Sequence, residues 1–237
     1  MKKADAAKTK LFAEKYCHGD DARNTIVADF DVNIESYEEL LPGQTITSYA
    51  SGNREIRTEF IMFNVIDAER GIIYHPVFSG SVGRRLAKKA NLKLPSKMSI
   101  FTAEGGGDGG DNEGGNDGAT RNIENRKMLQ LIRFARSMML LNVDEPKPMY
   151  DPFRSIYVKL EKHPGFAVFE SNIKSINTAI QSYLKKDINR DYQNFENLQQ
   201  YIQYLQDNYP QKRLRDHDFD ILRNKFQMEY PNEEIYF

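Results

Sequence analysis

The sequence predicts an α+β protein with an antiparallel, β-rich N-terminal half, meander- or barrel-like, and a mainly helical C-terminal half. Three observations carry this reading. Apolar residues alternate with polar ones through much of residues 25–103, where β-branched and aromatic side chains are frequent. They recur instead at three- and four-residue spacing beyond residue 120. Between the two lies EGGGDGGDNEGGNDGA, residues 104–119, with eight of the fifteen glycines, five acids and no Lys or Arg.

Residues 1–24 read as an N-terminal arm. TIVADFDVNIES then alternates, with Ile26, Ala28, Phe30, Val32 and Ile34 on one face, as a half-buried strand does. Pro42-Gly43 and Ser51-Gly52-Asn53 supply turns into a second β-prone run and into REIRTEFIMFNVI. Asp67 to Gly71 turns the chain into IIYHPVF, so that four strands joined by short turns form a meander. SVGRRLAKKANL reads as a short helix and KMSIFTA as a fifth strand.

Beyond the glycine run, residues 128, 131, 132, 135, 138 and 139 have the spacing of a well-buried helix. YVKLEKHPGFAVFES, within about residues 153–171, reads as a β-hairpin turning at His163-Pro164-Gly165 and packing with the β-rich region in one body. Ile173, Ile176, Ile180 and Leu184 mark a further helix. Tyr192, Phe195, Leu198, Ile202 and Leu205 mark another, and Leu214, Ile221, Leu222 and Phe226 a third.

Composition narrows the function classes. The net charge of -1 supplies no global field for nucleic acid, so any such attraction is local. The single cysteine, Cys17, excludes internal disulfides and thiolate zinc sites. The charged first twenty residues lack the apolar run of a signal peptide, and no window approaches a membrane span. An intracellular protein with no membrane partner is the expectation, or a virion component if the chain is virus-encoded.

The glycine run opens like a calcium-binding nonapeptide repeat, G-G-x-G-x-D at Gly106 to Asp111. It places Glu113 where that repeat needs a large apolar residue, and no second copy follows. A flexible acidic insert is the better reading, with loose calcium capture by the five acids as its rival. Clustered acids argue against a phosphate cradle. The four histidines are scattered, and Asp216 and Asp220 could share one helical face as a single-metal site. No hydrolase, zincin, P-loop or dinucleotide motif is present. The expectation is therefore a protein without catalytic residues, metal or cofactor.

The basic segment Arg84, Arg85, Lys88, Lys89, Lys93 and Lys97 holds six cations and no acid in fourteen residues. The first four share a helical face able to grip phosphates or an acidic partner. Arg126, Lys127, Arg133 and Arg136 decorate the next helix. Phe60, Phe63, Tyr74 and Phe78 are stacking platforms or core. The C-terminal tip, Glu233, Glu234, Ile235, Tyr236 and Phe237, resembles over about seven residues the acidic, Phe-terminated tips of bacterial and phage single-stranded-DNA-binding proteins. That resemblance implies a recruitment peptide; the other reading is a last turn tucked into its own protein.

Two functions follow. The first is a non-enzymatic structural protein that acts through subunit contacts as a homo- or hetero-oligomer, in the style of a virion or phage component. The second is a single-stranded nucleic-acid-binding protein with the tip as a recruitment tail.

Overall fold

A computed structural model of the chain describes residues 2–48, 54–102, 122–141, 143–185 and 195–237. The Gly/Asp-rich run lies outside the described residues, so the insert and calcium readings are not addressed by it. The fold is α+β, and its sheets do not close into a barrel. The chain divides into two compact units, Met1–Ser99 with Asn142–Pro148, and Ile100–Leu141 with Met149–Phe237.

In unit 1 the short strand β1 (Lys2–Lys3) leads into helices α1 (Ala6–Tyr16) and α2 (Gly19–Asp29), where an arm is expected from sequence. The long strands β2 (Asp31–Glu39) and β5 (Glu59–Asp67) pair antiparallel. Between them the chain makes a separate two-stranded ribbon, β3 (Ile46–Ser48) with β4 (Arg54–Ile56). β6 (Ile72–Tyr74) and β7 (Val77–Ser79) both pair with the far side of β5, as one strand interrupted at His75-Pro76. Proline cannot donate to the ladder, which accounts for the break. The sheet order is β1-β6-β5-β2, with β1 and β2 at the edges among the described residues. β2, β5 and β6–β7 form an antiparallel meander, but the second β-prone run leaves it for the ribbon and β1 joins parallel to β6, which corrects the four-stranded meander.

β5 is the central strand and is buried on both faces. Ile61, Phe63 and Val65 pack with Phe12 and Ala13 of α1, Ile26 of α2, and Leu86 and Ala87 of α3 (Gly80–Lys89). A bulge at Glu35 shifts the register between Ile34 and Ser36. It aims the Glu35 carboxylate at Asn64, whose Nδ2 donates to it at 2.5 Å.

Two strand readings need correction here. Residues 25–29 belong to α2. The alternation of Ile26, Ala28 and Phe30 coincides with a helical set, Arg23, Ile26, Val27 and Phe30, which is the one turned inward, while Ala28 is exposed. Asp20 and Asp21 in the first turn favour the helix through its dipole, and Asp20 pairs with Arg23 at 2.6 Å. KMSIFTA forms only isolated bridges, Glu38 with Met98 and Phe101 with Leu214. Met98 belongs to unit 1 and Phe101 to unit 2.

Unit 2 is helical, with α4 (Ile123–Leu140) at its centre. α5 (Asp151–Lys162), α6 (Glu170–Lys185), α7 (Leu198–Asn208) and α8 (Asp220–Glu229) all touch α4. Burial all round matches a core helix rather than a surface one. Asn122 caps α4 by accepting from Glu124 N at 2.8 Å.

The hairpin at about 153–171 is overturned. Phe153, Ile156, Tyr157 and Leu160 are buried at helical spacing, and Pro152 sits in the first turn of α5, where a missing N–H costs nothing. Tyr157 and Leu160 of YVKL serve helix packing, while Val158 is exposed. His163-Pro164-Gly165 joins two helices, and the segment clusters with unit 2 rather than with the β-rich region. Leu214 precedes α8, so its place in a third helical stripe is also corrected.

Candidate functional site

The basic segment lands on α3 and the loop after it. The helix is amphipathic, with Gly80, Gly83, Leu86 and Ala87 inward and its cations outward. Those cations divide into two groups.

The first group is held by the chain itself. Arg84 Nη1 donates to the Tyr37 hydroxyl at 2.9 Å and to the Glu59 carboxylate, and Tyr37 donates to Glu59 Oε2 at 2.7 Å. Lys97 Nζ stands 3.5 Å from Glu59 Oε2 and 3.9 Å from Glu39 Oε2. Lys89 donates to Asn24 Oδ1 at 2.6 Å. Burial pushes the Glu59 carboxyl up. The hydrogen bonds from Tyr37 and Arg84, with the charges of Lys97 and Arg84, outweigh it and hold Glu59 below the usual carboxylate range. Burial first, then the bond to Glu59 and its charge, push the Tyr37 phenol up to about 12.

The second group is Arg85, Lys88 and Lys93. All three are exposed, and their side chains form no ion pair or hydrogen bond with the described residues. Three of the six cations are thus engaged within unit 1, and three are not.

The second basic set behaves differently. Lys127, Arg133 and Arg136 are buried inside unit 2 rather than decorating its surface. Lys127 Nζ lies 2.7 Å from Asp216 Oδ1 and 3.6 Å from Asp218 Oδ2, and Arg133 pairs with Glu161 at 3.7 Å. Their acidic partners lie 28 to 91 residues away in sequence. The single-metal reading is corrected with them. Asp216 precedes α8, and Asp220, at its first position, pairs with Arg223 at 2.9 Å. Among the described residues no three His, Cys, Asp or Glu side chains gather in metal-binding range. Cys17 is buried, and burial drives its thiol far above the ordinary range despite the nearby Arg23. Phe60, Phe63, Tyr74 and Phe78 are buried core residues, not stacking platforms.

The C-terminal tip is tucked into unit 2, and an exposed recruitment end is corrected. Asn177 on α6 donates to Glu234 O and accepts from Tyr236 N, both at 2.8 Å. Leu198 N donates to Tyr236 O at 2.8 Å, and Arg223 Nε to Phe237 O at 2.9 Å. The Phe237 ring meets Phe226 edge-on at 6.4 Å. Glu233 and Glu234 stay exposed, Ile235 is half-buried, and Tyr236 and Phe237 are buried. Apolar rings with satisfied backbone groups favour this docked state over a solvated end.

Two cavities accompany these features. Unit 1 holds one of about 330 Å³ beside Asp5, Thr9, Thr47, buried His75 and Lys147, a volume at the lower end for small-ligand sites. Unit 2 carries an open groove of about 830 Å³ between α7, residues 209–218 and Arg223 of α8. Its cations Lys212, Arg213 and Arg215 are absent from the basic sets read in the sequence. The signal was present as Q-K-R-L-R, but it sits in an extended connection between helices.

No helix among the described residues is long and apolar enough to cross a membrane. No protein-family model, curated protein or solved structure matches the chain.

Proposed function

We propose that the protein is a non-enzymatic assembly protein that acts through subunit contacts, with the outward face of α3 as one contact. The observation that supports it is the division of the α3 cations. Arg84, Lys89 and Lys97 are engaged by Glu59, Glu39 and Asn24, and their positions are fixed by the fold. Arg85, Lys88 and Lys93 stand beside them, exposed and without such partners. A rigid helix carrying two such cations, with the third on the loop after it, suits an acidic patch on another subunit, where charge complementarity sets orientation and encounter rate. The near-zero net charge of the chain places little long-range repulsion between copies.

Size-exclusion chromatography with light scattering tests this. The full chain elutes as a discrete oligomer, and the Arg85→Glu/Lys88→Glu double variant shifts toward monomer while its melting temperature stays close to the parent's. Exposed charges contribute only about 0–1 kcal/mol each to folding. A monomeric parent, or a double variant that assembles unchanged, refutes the reading.

A further inference from the structure

We infer that the groove of unit 2 is a binding site for single-stranded nucleic acid, read along Lys212–Arg215. This goes beyond the assembly reading and does not rest on it.

The geometry begins with the backbone. Thr102 N donates to Arg213 O at 2.9 Å, and Arg215 N donates to Ile100 O at 2.8 Å, with Phe101 and Leu214 bridged between them. Residues 213–215 are therefore held extended. In extended chain, alternate side chains leave on the same side, about 7 Å apart. Arg213 and Arg215 thus alternate with Leu214, and all three line the groove. Arg215 is steadied further by Nε donating to Phe101 O at 3.1 Å. Lys212 precedes this pair and Arg223, paired with Asp220, lines the groove from α8, so the lining holds four cations and two carboxylates, Asp216 and Asp218.

Both carboxylates pair with one buried cation. Lys127, whose side chain is 9% exposed, holds both from within the unit. The Asp220 amide, then Lys127, hold the Asp218 carboxyl below its usual range. Lys127 thus offsets part of the negative charge that the two carboxylates bring to the groove.

Other parts of the wall choose the ligand. Tyr209 is half-buried, and its ring lies 6.1 Å from Phe101 at an interplanar angle of 77°. That packing fixes it as a platform. Gln199 and Gln206 add amide groups, and Gln206 Nε2 is 3.3 Å from His217 Nε2. A cationic track beside a fixed aromatic ring and neutral amides is the arrangement that takes a sugar-phosphate chain with its bases stacked or hydrogen-bonded. An acidic peptide would use the cations and leave the ring idle.

The test is fluorescence anisotropy of a labelled oligo-dT of about 20 nucleotides, longer than one such site, titrated with the full chain over a salt series. The parent binds, and its affinity falls steeply with salt. Arg213→Gln/Arg215→Gln weakens binding by roughly tenfold or more. It also flattens the salt slope by about 0.7 for each phosphate that is no longer neutralised. Tyr209→Leu weakens binding and leaves the slope unchanged. Arg85→Glu/Lys88→Glu, on the other unit, binds as the parent does, so failure here and failure of the assembly reading are separable. Circular dichroism confirms folding. Should the double arginine variant unfold, Lys212→Gln, an exposed change outside the bridged segment, carries the same expectation. Absence of binding at low salt overturns the proposal. So does parental affinity in a folded groove variant, or equal competition by polyglutamate of matched charge.

Discussion

The Glu59 carboxyl fills the space that a side chain on Gly80 would need: a Cβ there would stand 2.2 Å from Glu59 Oε1. The bare first residue of α3 lets an acid of the central strand reach the helix start, where its negative charge meets the positive end of the helix dipole. Tyr37, Arg84 and Lys97 then gather on that acid. One turn later Gly83 makes a second close approach, with a Cβ there only 2.8 Å from Ile61 Cβ.

Gly83→Ala is therefore expected to destabilise unit 1 more than Gly80→Ala. Ile61 is wholly buried and branched at the clashing atom, so the helix must move, at about 1–3 kcal/mol less the gain in helix propensity. In Gly80→Ala, by contrast, Glu59 can swing away from the added methyl group by giving up its hydrogen bonds. Thermal melts of the two variants check the order; equal stabilities would contradict it.

The Tyr37 phenol, pushed up to about 12, gives a pH dependence of definite sign. Its folded pKa lies above its unfolded one, so the folded state favours the protonated phenol. The stabilisation is complete below the ordinary tyrosine range and is lost as pH rises through about 12. Glu59→Gln removes the negative neighbour and should bring the phenol down. Phenolate titration by ultraviolet absorbance, with Tyr37→Phe to identify the signal, measures this. An unmoved midpoint would show that burial alone sets it.

Asn177→Ala should release the C-terminal tip. The variant leaves the Tyr236 amide and the Glu234 carbonyl without their side-chain partner, at about 1–3 kcal/mol. Hydrogen exchange read by NMR should show reduced protection at Tyr236 before the rest of unit 2. Retained protection there would mean the rings alone dock the tip.

Lys127 makes an asymmetric prediction. Lys127→Met removes a buried charge and leaves Asp216 and Asp218 at 45% and 66% side-chain exposure, able to hydrate, so stability should hold or rise. Asp216→Asn/Asp218→Asn instead strands the buried ammonium and should cost more, up to about 3 kcal/mol. Denaturant unfolding of both variants decides. The reverse order would mean that the lysine reaches water.

How much of this was legible depends on the range of the interactions involved. The stripes through Met128, Leu131, Ile132 and Ala135, and through Ile173, Ile176 and Ile180, announce α4 and α6 because each helix buries its own apolar side. α2 and α5 were obscured where local composition permits two periods. Ile26 and Phe30 fit an alternation with Ala28 as well as a helical face with Arg23 and Val27, and YVKL has strand-like residues in a helix with Pro152 in its first turn. The basic segment was visible as a run, yet which of its cations remain outward depends on Glu59 and Asn24, tens of residues away. The fate of the tip and of Lys127 likewise depends on Asn177 and Asp216, partners that no local pattern names.

The interleaving of the two units bears on how the protein is born. Unit 1 receives its last piece, Asn142–Pro148, only after all of α4 has been made, and that piece joins the ribbon where Thr47 N donates to Asp144 O at 2.8 Å. At that moment none of the helices that enclose α4 has been synthesised, so a helix buried on nearly every side in the finished unit emerges from the ribosome with its apolar surface bare. Until the helices that enclose it have followed it out, α4 is the apolar segment that a nascent-chain chaperone would cover.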